Sequence, residues 1–421
     1  MCARLGRVTR ASPARYLGLV TDSNWHPARV RANFRIDVFS AVCAGTFVSV
    51  LVAFMPVVVR RMGGTPTDVA IVVGAPFVGH FLAPFFTFLF AHLPPVRVVA
   101  GTSTLARSIF IAGVLVATTP LMLALTTVAF WIVTISNVAA YTALMRGIYP
   151  DSERAHVMGK VRVGASVAGI AAAALAGTFI DAIPAQYVFA AAALISLPGS
   201  LAFFRVRHDS HGGFGTRRPA AAIARDVWGD RRYRQLMLSF LVFGWGNLMN
   251  FAVFPIMLVD RFDASNSFVG IMSAVQSATM IVAYVVVGRL IDRGSSLRQT
   301  FIATLLVILV PLGYVVAPVA WALLPVAVIA GITQASGELT YHTNIVQLAP
   351  REKLAEYAAA QSLLLGIRGT LAPFAASALL GVLEPRAVLV VGMAFMAAGA
   401  LIMVGVVRRR PVEALEVAPA S

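Results

Sequence analysis

The sequence predicts an all-α integral membrane protein with twelve transmembrane helices in two pseudo-symmetric six-helix bundles. Three observations lead there. Of the 421 residues, 59% are hydrophobic and only 12% charged, and the mean hydropathy is +0.82; a soluble domain carries roughly 25% charged residues. The apolar runs are about 20 residues long, the length a spanning helix needs, and not the alternating ten-residue strands of a barrel. The basic residues gather in alternate loops.

The expected spans are residues 36–59, 67–91, 96–117, 121–146, 160–182, 186–204, 235–259, 267–289, 299–318, 321–347, 357–381 and 387–407. A basic tail, 1–35, precedes them with Arg4, Arg7, Arg10, Arg15, Arg29, Arg31 and Arg35, and a second tail, 409–421, follows. The connections are short except for 205–234, a linker with His208, Asp209, His211, Gly212, Gly213, Gly215 and a run of arginines. It separates an N-terminal bundle, 36–204, from a C-terminal bundle, 235–408. About 28 basic residues fall on the side of the tails and linker, and four fall opposite, at Arg60, Arg61, Arg261 and Arg386. Positive charge is retained on the inner side of a membrane, so both termini and the linker are expected in the cytoplasm, with the protein in a bacterial inner (plasma) membrane. The net charge of +16 is thereby a matter of topology, and no nucleic-acid partner is expected; the partners expected are the lipid bilayer, a small molecule and protons, and the chain is expected to be a monomer.

A weak repeat runs at an offset of about 200. Pro56 matches Pro255 within one residue, and Tyr141, Pro150 and Gly169 match Tyr341, Pro350 and Gly369. Two halves of six spans have the same orientation, as in transporters built from parallel repeats.

With twelve spans, a basic linker after the sixth and this repeat, the chain resembles the major facilitator superfamily along nearly its whole length. That family carries G-x-x-x-D-(R/K)-x-G-(R/K)-(R/K) after spans two and eight. Here the second copy reads GRLIDRGSSLR, with Gly288, Asp292, Arg293, Gly294 and Arg298, one residue short of the pattern. In the first copy Phe88 replaces the glycine and His92 the aspartate, and Arg97 keeps the basic end. The resemblance implies a gate latch, with Asp292 pairing to arginines and to a helix N-terminus; the alternative is a solvated loop pair. Marks of the drug/proton antiporters are weak: span four has Arg146 only at its end, and span five has Gly164, Gly169 and Gly177 without a proline.

Charges inside the hydrocarbon are costly and point to function. Glu338, Arg368 and Arg107 lie about nine to eleven residues into spans ten, eleven and three, near the midplane at 1.5 Å per residue. Gln334, Glu338, Tyr341 and His342 recur at i, i+4, i+7 and i+8, one polar face on an apolar helix. Glu338 is a candidate to carry a coupling proton with Arg368 beside it; the alternative is a permanent Glu338–Arg368 ion pair. Arg107 has either a structural or a substrate role, with Asp37 the closest acid in its half. Asn247, Asn250, Gln276, His80, Asn137 and Tyr141 complete the expected cavity, each with an interhelical hydrogen bond as the alternative. Prolines 56, 76, 84, 255 and 373 are expected to kink their helices.

The sequence has no nucleotide-binding loop, paired catalytic carboxylates or metal-ligand spacing, and it calls for no cofactor or enzymatic activity. Cys2 and Cys43 form no redox motif. The function expected is secondary transport of a small organic solute by alternating access, coupled to protons. The rival is a non-transporting sensor or assembly factor on the same scaffold.

Overall fold

The computed structural model describes residues 26–90, 92–150, 153–208, 227–349 and 353–408. Of the expected N-terminal tail only 26–35 is therefore covered, and the tail 409–421 and most of the expected linker lie outside the described residues. Twelve long helices follow one another: α1 Pro27–Arg61, α2 Pro66–Phe90, α3 Pro95–Val116, α4 Pro120–Ile148, α5 Arg154–Ala182, α6 Ala185–Ala202, α7 Arg231–Asp260, α8 Asn266–Asp292, α9 Ser296–Val316, α10 Leu324–Leu348, α11 Leu354–Leu379 and α12 Pro385–Arg408. Eleven are long and apolar enough to cross a membrane, and α2 adds the shorter apolar stretch Pro66–Leu82.

Helix starts follow local chemistry. Proline opens α1, α3 and α4, where its missing N–H costs nothing. Thr119, Asp230 and Ser265 cap α4, α7 and α8, their side chains accepting hydrogen bonds from the orphan backbone N–H groups. α1 begins at Pro27 rather than at residue 36, because a helix can continue beyond its apolar run and carry Arg29, Arg31 and Arg35 on that extension.

Two spans expected to be continuous are broken. α4 interrupts at Ser136–Asn137, where the Ser136 hydroxyl donates to the Val133 carbonyl at 2.7 Å, a side-chain bond that competes with the helix ladder. α9 breaks at Ile308. Pro311 lies four residues beyond Val307 and cannot donate to its carbonyl.

Within the first half α1 packs on α5 and α6, α2 on α4, and α3 on α4 and α6; within the second α7 packs on α11 and α12, and α8 on α10. The halves meet along two seams, α2 with α11 and α5 with α8. Apolar side chains fill each half: Phe47, Phe110 and Phe130 meet edge to face with centroids 4.9 to 5.7 Å apart. Small residues let the helices approach where lipid supplies no hydrophobic drive. At the α5–α8 seam a Cβ on Gly270 would lie 2.7 Å from the Ala173 carbonyl oxygen, and one on Gly177 would collide with the Asn266 carbonyl.

Candidate functional site

The end of the seams away from the linker is closed by polar contacts between the halves. Arg60, at the end of α1, donates through Nε to both carboxylate oxygens of Asp260, at the end of α7, at 2.9 and 3.1 Å. Arg61 donates to the Ala264 carbonyl. Asp181, at the end of α5, meets the N-terminus of α8: it accepts from the Asn266 and Ser267 backbone N–H groups at 3.1 and 2.9 Å, from the Asn266 amide at 2.8 Å and from the Ser267 hydroxyl at 2.6 Å. A carboxylate there also faces the positive end of the helix dipole. Across α2 and α11 the Thr67 and Ser377 hydroxyls share a bond of 2.9 Å, and further toward the linker His80 Nδ1 and Ser362 Oγ share one of 3.2 Å.

Nearer the linker a polar cluster forms in the second half. On α10, Gln334 and Glu338 are both exposed. Gln276 of α8 donates to Gln334 at 2.8 Å, and Gln334 donates to Glu338 at 3.3 Å. The Tyr284 hydroxyl of α8 donates to the other Glu338 oxygen. An exposed carboxylate mid-way along a membrane helix needs a water-lined space rather than lipid before it.

The geometry brings together Gln276, Gln334 and Glu338 and adds Tyr284. It does not form the Glu338–Arg368 pair. Arg368 of α11 instead donates to the Phe240 carbonyl of α7, with Tyr341 in electrostatic range; the two helices present these side chains to different neighbours. Tyr341 is also met through its carbonyl by Gln361 at 3.4 Å. The side chain of His342 lies outside the described residues.

Three residues expected in the cavity make their contacts inside one half. Arg107 is 6% exposed and donates to Ser196 of α6 at 2.5 Å and to the Ser103 carbonyl at 2.8 Å. Asp37 is bonded not to Arg107 but to Tyr149, whose hydroxyl donates to it at 3.0 Å. Asn137, at the α4 break, donates to Thr102 and Ser103 of α3 at 2.8 and 3.2 Å. Asn250 is fully buried and donates to the Met396 sulfur of α12 at 3.5 Å. In each case a polar group inside a bundle finds a neighbour, although the Asn250 Oδ1 is buried without a hydrogen-bond partner. Asn247 is half-buried on α7, and Tyr141 lies 6.4 Å from Phe203, ring to ring. Of the loop motif, Asp292 ends α8, Arg293 caps it and the Gly294 N–H bonds to the Ile291 carbonyl at 3.2 Å; Asp292, Arg293 and Arg298 are exposed, and Gly288 sits within the last turns.

Tyr284, Asp181 and the Arg60–Asp260 pair escape a reading of the sequence. Tyr284 is 54 residues from Glu338, so no periodicity links them. Arg60 and Asp260 stand exactly one repeat apart, at 200 residues, and the repeat was the available signal.

Two six-helix bundles of like orientation, closed at one end and holding an exposed acid midway along a long apolar helix, define a polytopic membrane protein of the transporter kind. The family model of the Major Facilitator Superfamily matches residues 38–373 and, again, 236–421; the chain belongs to that superfamily. Solved structures agree in fold. A mutant form of the nucleoside transporter NupG superposes with a TM-score of 0.71 at 12% identity, over 89% of this chain and 99% of that one. A bacterial homologue of the human lysosomal transporter Spinster, in an inward-facing and occupied conformation, gives 0.64 at 15% identity, over 92% and 98%. No curated protein matches the sequence.

Proposed function

We propose that this chain is a secondary active transporter that moves a small organic solute by alternating access, coupled to protons, with Glu338 as the proton carrier. The observation that carries this reading is Glu338 itself: an exposed carboxylate on α10, bonded to Tyr284 and Gln334, with no ion pair to it among the described residues. Such a group gains a proton when its surroundings dry and loses it when they wet, which is what a rocking cavity does. The closed far end and the exposed polar cluster support a conformation open toward the linker. In the proposed orientation that side is the cytoplasm of a bacterium, and the halves 36–204 and 235–408 rock as bodies joined by 205–234. Asp292, Arg293 and Arg298 would engage as a latch only when the linker side shuts, which fits their exposure here.

The test begins with a solute screen by thermal shift on the purified chain, since a bound solute stabilises the state it binds. Proteoliposomes carrying Glu338→Gln should then lose accumulation driven by a proton gradient while retaining exchange of solute across the membrane. Accumulation at the wild-type level would remove Glu338 from the coupling step.

A further inference from the structure

Arg162 is a cation that the reading above leaves unused. It lies on α5 eleven residues before Ala173, the residue whose carbonyl meets the Gly270 position of α8. Eleven residues make three helical turns, so Arg162 shares the face of Ala173, which is 1% exposed, and lies opposite the exposed Val167 and Leu175; that face turns between α1 and α8, into the bundles. On α8, Tyr284 lies fourteen residues beyond Gly270, four turns within about 40°, and so turns back toward α5. Measured along the helices, the two groups stand about 16 and 21 Å to the linker side of the contact, at a similar depth. Their electrostatics agree with this placement: Arg162 acts on Tyr284 of the second half and on Tyr141 of the first. The residue is exposed, and among the described residues no carboxylate is paired with it. A guanidinium snorkelling to the lipid surface would leave by the opposite face of α5.

We propose that Arg162 anchors the negatively charged group of the transported solute, and that the substrate class is therefore a small organic anion bearing a carboxylate or phosphate. This rests on the transport reading above and names its substrate. The planar guanidinium matches either group with two parallel hydrogen bonds. Tyr284, Gln276 and Gln334 add hydroxyl and amide partners for the rest of the molecule. Charge balance favours the same class. Empty, Arg162 and ionised Glu338 sum to zero. With a singly charged anion such as a carboxylate on Arg162 and a proton on Glu338 they again sum to zero, so neither form carries net charge from this pair through the membrane; a phosphate dianion would leave about −1. A neutral solute with one proton would leave the pair at +1.

The experiment measures thermal unfolding of the full-length chain in detergent with matched probes: benzoate against benzamide, phenyl phosphate against benzyl alcohol, and dioctanoyl phosphatidylglycerol as a lipid headgroup. One of the two free anions should stabilise the protein at millimolar concentration and its neutral partner should not. Arg162→Gln should weaken that response at least about tenfold, the loss of a charged hydrogen-bonding partner. Arg162→Lys should keep part of it, and Arg289→Gln, which removes another exposed arginine, should keep all of it. The proposal is overturned if no free anion stabilises, if only the lipid does, if the neutral partners do as well, or if the response survives Arg162→Gln. Should Arg162→Gln fail to fold, the Arg162→Lys response decides: an undiminished affinity for the anion overturns the bidentate anchor. Counterflow of the stabilising probe in liposomes separates the two readings, because binding without exchange refutes transport and leaves the anion site standing.

Discussion

Across α2 and α11 the halves meet through neutral groups, Thr67 with Ser377 and His80 with Ser362. Their close approach continues far toward the linker: a Cβ on Gly366 would lie 2.7 Å from the Phe81 backbone nitrogen. Across α5 and α8, the equivalent seam in the repeat, the close approaches at Gly177 and Gly270 lie near the far end, and that end is held by a carboxylate with four donors. One repeat beyond Arg162 stands Ser362, already in contact with the other half; among the described residues no carboxylate pairs with Arg162. The neutral seam suits a pivot, because its contacts can slide at little electrostatic cost. The charged seam suits a latch, because its bonds are strong when made and leave a carboxylate at a helix N-terminus when broken.

The largest effect that would break this contrast is at Asp181. Asp181→Asn keeps the shape but loses the charge, and hydrogen bonds to a charged group are worth about 1.5–3 kcal/mol. Asp181 is exposed, which screens part of that value, so the closed far end should lose up to roughly one decade of population, read as a longer spin-label distance between the far ends of α5 and α8. An unchanged distance would make Asp181 a bystander. Ser362→Ala removes one neutral bond, worth about 0.5–1.5 kcal/mol; it should shift the melting temperature by a few degrees at most and leave the α5–α8 distance alone. Opening of the charged seam by this variant would mean that the two seams are not separable. The smallest effect belongs to Asp260→Asn. Its side chain is 37% exposed, and exposed ion pairs contribute about 0.2–1 kcal/mol. Exchanging the pair, Arg60→Asp with Asp260→Arg, should recover whatever the single change loses, in the same distance measurement.

The spans and their order were legible because lipid imposes a length and a polarity on each helix, and those are one-dimensional properties. The break at Pro311 was legible in principle and the one at Ser136 less so, since a hydroxyl bonding back to the helix is optional. Glu338 with Gln334 could be read from spacing along one helix. Their partners from α8 could not, because Tyr284 reaches Glu338 and Gln276 reaches Gln334 only through packing. Arg107, Asn137 and Asn250 looked like cavity residues for the same reason: depth in the membrane can be counted from a sequence, while the direction of a side chain depends on which neighbour lies beside it. Arg162 was hidden in another way, counted among the basic residues that set topology near Arg154 and Lys160.

The Arg60–Asp260 pair sets a condition on the two halves. The two residues sit one repeat apart and touch each other, so in an assembly of two identical halves this position would meet its own copy across the twofold axis. Two arginines or two aspartates there would repel. The bond therefore requires two halves that differ in sequence at this position, so a second copy of either half could not replace the other here. Arg61 and Arg261, also 200 residues apart, share a side chain but hold different carbonyls, Ala264 for one and Tyr314 with Ala317 for the other.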